Sequence, residues 1–448
     1  MDFVRRNAKY LFLFLFFFLA QVLFFNIQRG DTYVNFGFSY AVSRGEVPYL
    51  DFNMVIPPFA PYLYAVFLLF SKSILCLYLG QAFLLTFLFY FLFCLFGKKA
   101  WLYLVALSIP YPIAMATILF PGYNFLLLFL FFFLLYCEIE KKSDYCIGIL
   151  LGLSFFTKQT VGGLLLLVSI YYLFVDYKKF LKRIVGFLIP VVLFFILFLI
   201  QGNFWEFVDL CFLGLFDFGH SNFYVEWFYF VIFIICMILL LIRIVRKPKD
   251  ICNYYVLVFA SCIYPIIDYY HVSLFLGAFL FLVLKDITIK KDIWPYCSFF
   301  AVAISLIWLV VEGLYLKDVY IAHYPNFEFS IVSKSYDISV KKLERYLDTL
   351  PGEVVYFLRG SENYFFKIKH NLDITYFDLP NYGNYGYNGV DKLIRRIKKV
   401  KNSYFVIDIS AYDSTSPTQQ YIREAVDYIM EQGVKIKEIG YYQVYEMR

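Results

Sequence analysis

Several charged residues in this chain stand where little water is expected. Asp31 follows the first long apolar run, 10–27, by a few residues, and Asp51 follows the turn around Pro48-Tyr49. A carboxylate at an apolar boundary can take the proton of a hydroxyl nucleophile, although an Asp that merely ends a helix looks the same in sequence. Lys158 is the most informative cation. As a helix, the apolar stretch 145–157 rises only about 20 Å, short of a hydrocarbon core of about 30 Å. The ammonium then ends below the surface, where a lone charge costs on the order of 3 kcal/mol unless it snorkels. It calls for an anion, either a lipid phosphate or a carboxylate such as Asp31. His271, Arg44 and Tyr270, with Tyr269, are lesser candidates for the same phosphate, while His220, His323 and His370 have no assignable role.

The elements that must position these groups are membrane helices. Of 448 residues, 62% are hydrophobic and 23% aromatic, with 56 Phe and 42 Tyr, an excess that has to face lipid. Apolar runs at 10–27, 75–96, 101–119, 125–137, 145–157, 160–175, 184–201, 228–242, 252–267, 273–284 and 294–314 predict about eleven spans. The first reads as a retained anchor, because no small-residue cleavage site follows it. The stretch 57–71, opened by Pro57, Pro58 and Pro61, is expected at the outer interface.

Charge orients the bundle. Residues 1–314 hold 22 Lys and Arg, and the eleven-span arrangement puts 18 of them inside, leaving Arg29, Arg44, Lys72 and Lys158 outside. Flipping both 57–71 and 145–175 misplaces only Lys98, Lys99, Lys141 and Lys142, so the middle is less constrained than the ends. Either way the N-terminus is cytoplasmic and the C-terminal part outside. The outer loops are acidic, and two of them, 28–56 and 202–227, are long and aromatic. All nine Cys lie between Cys76 and Cys297, with no CxxC or Cys/His metal spacing.

From about 319 the text becomes that of a soluble α/β domain, 319–448, after a membrane domain of 1–318. Strands are expected at 354–358, 374–379, 404–409, 434–440 and 442–447, and amphipathic helices at 339–349, 390–401 and 417–432, giving a small three-layer domain. With 18 basic and 17 acidic residues in 315–448, nothing there favours nucleic acid.

Four segments, in order, resemble the GT-C superfamily of membrane glycosyltransferases, in the branch of protein O-mannosyltransferases and the aminoarabinose transferase. They are GDTYVNFGFSYAVSRGEVPYLDFNMVIPPF (30–59), PGYNFLLLFLFFFLLY (121–136), GILLGLSFFTKQTVGGLLLL (148–167) and DYYHVSLFLGAFLFLV (268–283). They cover the membrane part only. The resemblance implies a GT-C-like bundle with Asp31 as catalytic base, and donor or lipid-phosphate contacts from Lys158, His271, Arg44 and Tyr270. It also implies sugar or acceptor positioning by Asp51, Tyr123, Asn124 and Gln159. The chain departs from the pattern in lacking an Asp-Glu pair and a basic residue beside Pro57-Pro58, which leaves the phosphate contacts open.

The expected activity is inverting transfer of a sugar from a polyprenyl-phosphate carrier to a cell-envelope glycan, lipid or protein outside the cytoplasm. A lipid donor is expected physically, because nucleotide sugars stay inside while these loops face out. A polyprenyl-phosphate sugar synthase and a flippase are the expected upstream partners, and the plasma (inner) membrane the expected location. No cofactor is required; the wider superfamily has metal-dependent members, so a divalent metal stays open without a visible ligand cluster. The alternatives are a transporter or lipid-linked sugar flippase, against which the charges sit in outer loops rather than at mid-membrane, and a non-catalytic scaffold.

Overall fold

Apolar sequence without polar interruption can satisfy its backbone in lipid only as helix, and most of this chain does so. The computed structural model describes residues 2–24, 32–109, 116–221, 223–289, 292–315, 319–351, 354–358, 366, 372–373, 383–412 and 423–448. Among them, six helical stretches are long and apolar enough to cross a membrane: Asn7–Phe24, Ile74–Ser108, Tyr177–Gln201, Trp227–Arg246, Tyr269–Asp286 and Trp294–Val311. Ile74–Ser108 is two helices, Ile74–Phe96 and Ala100–Ser108, joined by a turn at Gly97–Lys99. Shorter apolar helices cover Tyr123–Ile139, Asp144–Phe155, Gln159–Val175 and Cys252–Ile263. Each of the eleven expected runs therefore has a helical counterpart. Phe59–Leu68, within 57–71, has 10 residues and rises only about 15 Å, too little to cross.

One end of the bundle is tied by basic networks. Arg183 bonds Glu138 at 2.7 Å and Asp144 at 2.9 Å, and its guanidinium stacks 3.9 Å from the Tyr172 ring centroid. Arg243 pairs with Asp250 and Asp286 beside Lys285 and Lys247. Both networks stand at helix ends that the charge pattern assigns to the cytoplasm. Lys158, Glu226 and Asp268 occupy the opposite ends of the same helices or their neighbours.

Beyond the last long helix, two strands that the sequence reading did not anticipate form a hairpin, Val319–Tyr324 with Phe327–Ser333. The signal was Pro325-Asn326 between alternating apolar residues, with Asn326 at φ 65°. This hairpin seats the domain on the bundle. Ser73 donates to Glu328 at 2.6 Å, the Ile74 amide donates to the Asn326 carbonyl at 2.7 Å, and the Phe36 and Phe327 rings lie 4.7 Å apart.

A five-stranded sheet follows, in the order Leu372–Asp373, Val354–Leu358, Ser403–Asp408, Tyr442–Met447, Val434–Ile439. The first three strands are parallel, and Tyr442–Met447 runs antiparallel to both of its neighbours. Period-2 alternation splits its side chains. Leu358, Phe405, Ile407 and Met447 pack with the helices Val390–Lys399 and Arg423–Gln432. Val355, Phe357, Val406 and Val444 belong to the core shared with Lys334–Leu347 and the hairpin. These are the three layers expected. The expected strand 374–379 and the start of helix 417–432 lie outside the described residues.

Candidate functional site

The site is built around one break in the chain. The helix Asp144–Phe155 stops after 12 residues, and Gln159–Val168 turns back against its end. A β-carbon on Gly162 would lie 2.2 Å from the Phe155 backbone nitrogen, so only glycine admits this approach. Lys158 sits at the apex in extended conformation, as the residue before the second helix. Its ammonium donates to Asn124 Oδ1 at 3.2 Å and lies 5.6 Å from the Tyr123 ring centroid. Asn124 is 4% exposed, and its Nδ2 has no hydrogen-bond acceptor among the described residues. A buried amide donor without an acceptor is costly, and an anion beside Lys158 would satisfy it.

The Pro-Gly-Tyr-Asn loop that presents Tyr123 and Asn124 is braced from three sides. Gln81, fully buried in the Ile74–Phe96 helix, donates to the carbonyls of Ile118 and Phe120, both at 3.2 Å, and accepts from Tyr64 at 2.7 Å. Asn35, on the helix Thr32–Ser43, packs over Gly122, where a β-carbon would lie 3.2 Å from its Nδ2. Gln81, Tyr64 and Asn35 were not singled out from sequence; a polar residue inside an unbroken apolar helix, as Gln81 is, was the available signal.

Opposite Lys158 lies the segment before the Tyr269–Asp286 helix. Asp268 caps that helix, accepting the His271 amide at 2.9 Å and lying 2.7 Å from His271 Nδ1. One carboxylate oxygen thus fixes both the helix start and the imidazole. Asp268 is within electrostatic reach of Lys158 and of Glu226. Burial, then the Asp268 carboxylate, raises the pKa of Glu226. Tyr270 and Tyr269 begin the same helix.

Other sequence-derived candidates fall elsewhere. Gln159 points away from Lys158, donating to the Cys211 carbonyl at 2.6 Å and the Val55 carbonyl at 3.4 Å. The Asp51 carboxylate accepts the Val47 amide at 2.7 Å and closes its own turn. Arg44 pairs with Glu46 at 3.2 Å and neighbours Lys72, whose pKa is lowered by burial and by the Arg44 charge. Asp31 lies outside the described residues, immediately before the Thr32–Ser43 helix. Among the described residues, no three His, Cys, Asp or Glu side chains converge as metal ligands would.

An apolar cavity of about 560 Å³ lies between Gln159–Val175 and Cys252–Ile263. Leu164, Leu167, Tyr171, Tyr254 and Leu257 line it, with Ser261 at one end and Lys249 at the other. Ser261 adjoins Cys262, which is within electrostatic reach of Lys158. The cavity therefore lies between the two helices on the side of Lys249, with Ser261 as its lining residue nearest in sequence to the neighbourhood of Lys158.

No described sequence family matches the chain, and no curated protein sequence does. Solved structures do. The crystal structure of ArnT from Cupriavidus metallidurans in the apo state is similar over 98% of this chain and 98% of that one, with 12% identity and a TM-score of 0.57. The same protein bound to undecaprenyl phosphate matches over 99% of this chain and 98% of that one, at 12% identity and a TM-score of 0.56. The match extends through the C-terminal domain, which the motifs did not cover. The likeness thus holds for nearly the whole chain, and this chain has the fold of ArnT.

Proposed function

We propose that this protein transfers a sugar from a polyprenyl-phosphate carrier to a cell-envelope glycan, lipid or protein, on the extracytoplasmic face of the plasma membrane. The carrying observation is a recessed ammonium, beside a buried amide donor that has no acceptor among the described residues, together with an apolar cavity along the same helix, Gln159–Val175. A long apolar chain ending in a phosphate fits both halves. The similar ArnT was crystallised with undecaprenyl phosphate, which supports that ligand class here.

The step balances without an external reactant. The acceptor hydroxyl gives its proton to the Asp31 carboxylate while its oxygen bonds the anomeric carbon. The bond from that carbon to the phosphate oxygen breaks, its electron pair leaving with the phosphate. Lys158 and the Asn124 amide neutralise the departing charge, and His271, oriented by Asp268, can donate to the same oxyanion. Attack opposite the leaving group inverts the anomeric configuration. In this reading 1–318 is the catalytic membrane domain, with the N-terminus cytoplasmic and 319–448 outside. The donor is supplied by a lipid-charging synthase and a flippase.

The test is transfer from a radiolabelled polyprenyl-phosphate sugar in membranes bearing the full-length protein. Asp31→Asn is expected to lower transfer by at least about a hundredfold, the lower range for a general base. Intact transfer in that variant overturns the assignment of Asp31. Sugar crossing sealed vesicles without a glycosidic product would instead identify a flippase.

A further inference from the structure

The C-terminal domain touches the bundle at a second place, far in sequence from the hairpin. A loop at Gly383–Gly389 lies on the outer helical segment Phe204–Ser221. Asp209 accepts the Tyr387 amide at 3.0 Å and pairs with Lys392, Asp217 accepts the Asn388 amide at 2.6 Å, and Asn53 donates to the Asn384 carbonyl at 3.1 Å. The approach is close on both sides. A β-carbon on Gly386 would lie 2.2 Å from Asp209 Oδ2, and one on Gly214 would lie 2.6 Å from the Gly383 carbonyl oxygen. Gly383 and Gly386 also hold φ of 88° and 83°, so glycine is required there twice over.

Asp209 opens a single π turn, Asp209–Leu213, set between two helical pieces. A π turn carries one residue more than an α turn and persists only where its surroundings hold it. Here one side is held by the C-terminal loop through Asp209. On the other side the turn offers the Cys211 carbonyl to Gln159, which is 7% exposed and directly follows Lys158. Should the turn relax to α geometry, the carbonyls after Asp209 rotate by about 100° and Gln159 loses its acceptor.

We propose that Asp209 is a positioning residue: docking of the C-terminal loop holds the π turn, and the π turn holds Gln159 and with it the placement of Lys158. The domain then works as part of the membrane site. The consequence for ligand rests on the lipid-phosphate reading above; the mechanical coupling does not.

Two measurements on the full-length protein in nanodiscs separate them. In hydrogen exchange, Gly386→Val should release the loop and also speed exchange of the Lys158 and Gly162 amides, which bond Ser154 and Lys158 carbonyls at 2.9 Å. Lys392→Ala, at a 44% exposed side chain, is the milder variant that keeps the test interpretable if Gly386→Val folds poorly. A released loop with unchanged exchange at Lys158 and Gly162 overturns the coupling. In titrations with undecaprenyl phosphate, Gly386→Val and Gln159→Met should each weaken binding about tenfold. Their combination should be no worse than either alone, since both cut one path. Additive losses overturn the shared path. Absence of binding by the unmodified protein overturns the lipid-phosphate reading, leaving the exchange result to decide the coupling.

Discussion

Lys158 and Asn124 form a half-complete set: three polar groups, one bond between them, and an amide donor left over. Lys158→Met keeps the length of the side chain and removes the charge. Undecaprenyl phosphate binding should fall at least about tenfold, the loss of one charge-assisted contact, measured by titration in nanodiscs. Asn124→Leu should bind more weakly by a smaller factor. Glu226 supplies a pH test at the same scale. Its pKa is raised, by burial and then by Asp268, so the folded state disfavours its charged form. Stability is then full below the ordinary carboxylate range and declines as pH rises through the raised value. Glu226→Gln should abolish that decline, so melting curves between about pH 4 and 8 should show the variant gaining on the parent as pH rises. Asp268, Tyr224 and Lys158 share this neighbourhood, and only Glu226 is changed. A parallel offset at every pH would reject the assignment.

Elements were far more legible than contacts. Hydropathy found the apolar helices, six of them long enough to cross, because lipid punishes any unpaired backbone, and the break at Lys158 was visible as an apolar run too short to cross. What the break does was not visible. The pair Gly162-Gly163 reads as one feature in sequence, yet the two glycines differ. A β-carbon on Gly162 meets backbone at 2.2 Å, whereas one on Gly163 meets only the Phe155 ring at 3.9 Å. Gly162→Ala should therefore destabilise the protein by about 1–3 kcal/mol, from overpacking. Gly163→Ala should be neutral or slightly stabilising, since alanine favours helix over glycine. The helix Asp144–Phe155 is seated on Tyr177–Gln201 in the same way: Gly148 and Gly186 bring the backbones together, and Gly152 faces Pro190. Gly148→Val should cost as much as Gly162→Ala. Thermal stability in detergent decides all three. The role of Asp209 escaped the sequence reading for a related reason: its partners at 387 and 392 are distant, and only the glycine spacing at 383, 386 and 389 hinted at a close approach.

At the scale of the whole molecule, the two ends of the bundle are chemically unlike, and the cavity lies between the helices Gln159–Val175 and Cys252–Ile263 that connect them. Arginine networks bind the helices together at one end, so the cavity near Lys249 is walled by tied elements rather than loose ones. Near the other end stand Lys158 and its unsatisfied neighbour. A carrier lipid placed here would have its phosphate fixed by Lys158 and its chain running down between Gln159–Val175 and Cys252–Ile263. Affinity should then grow with chain length by roughly 0.8 kcal/mol for each buried methylene-sized group, until the cavity of about 560 Å³ is full, and stay flat thereafter. A series of prenyl phosphates of increasing length, titrated against the protein in nanodiscs, reads this directly. The plateau should shift to shorter chains in Leu164→Trp, which fills the cavity without touching Lys158. Affinity independent of length, or a plateau unmoved by Leu164→Trp, would place the chain in the surrounding lipid and leave the ammonium as the whole of the binding site.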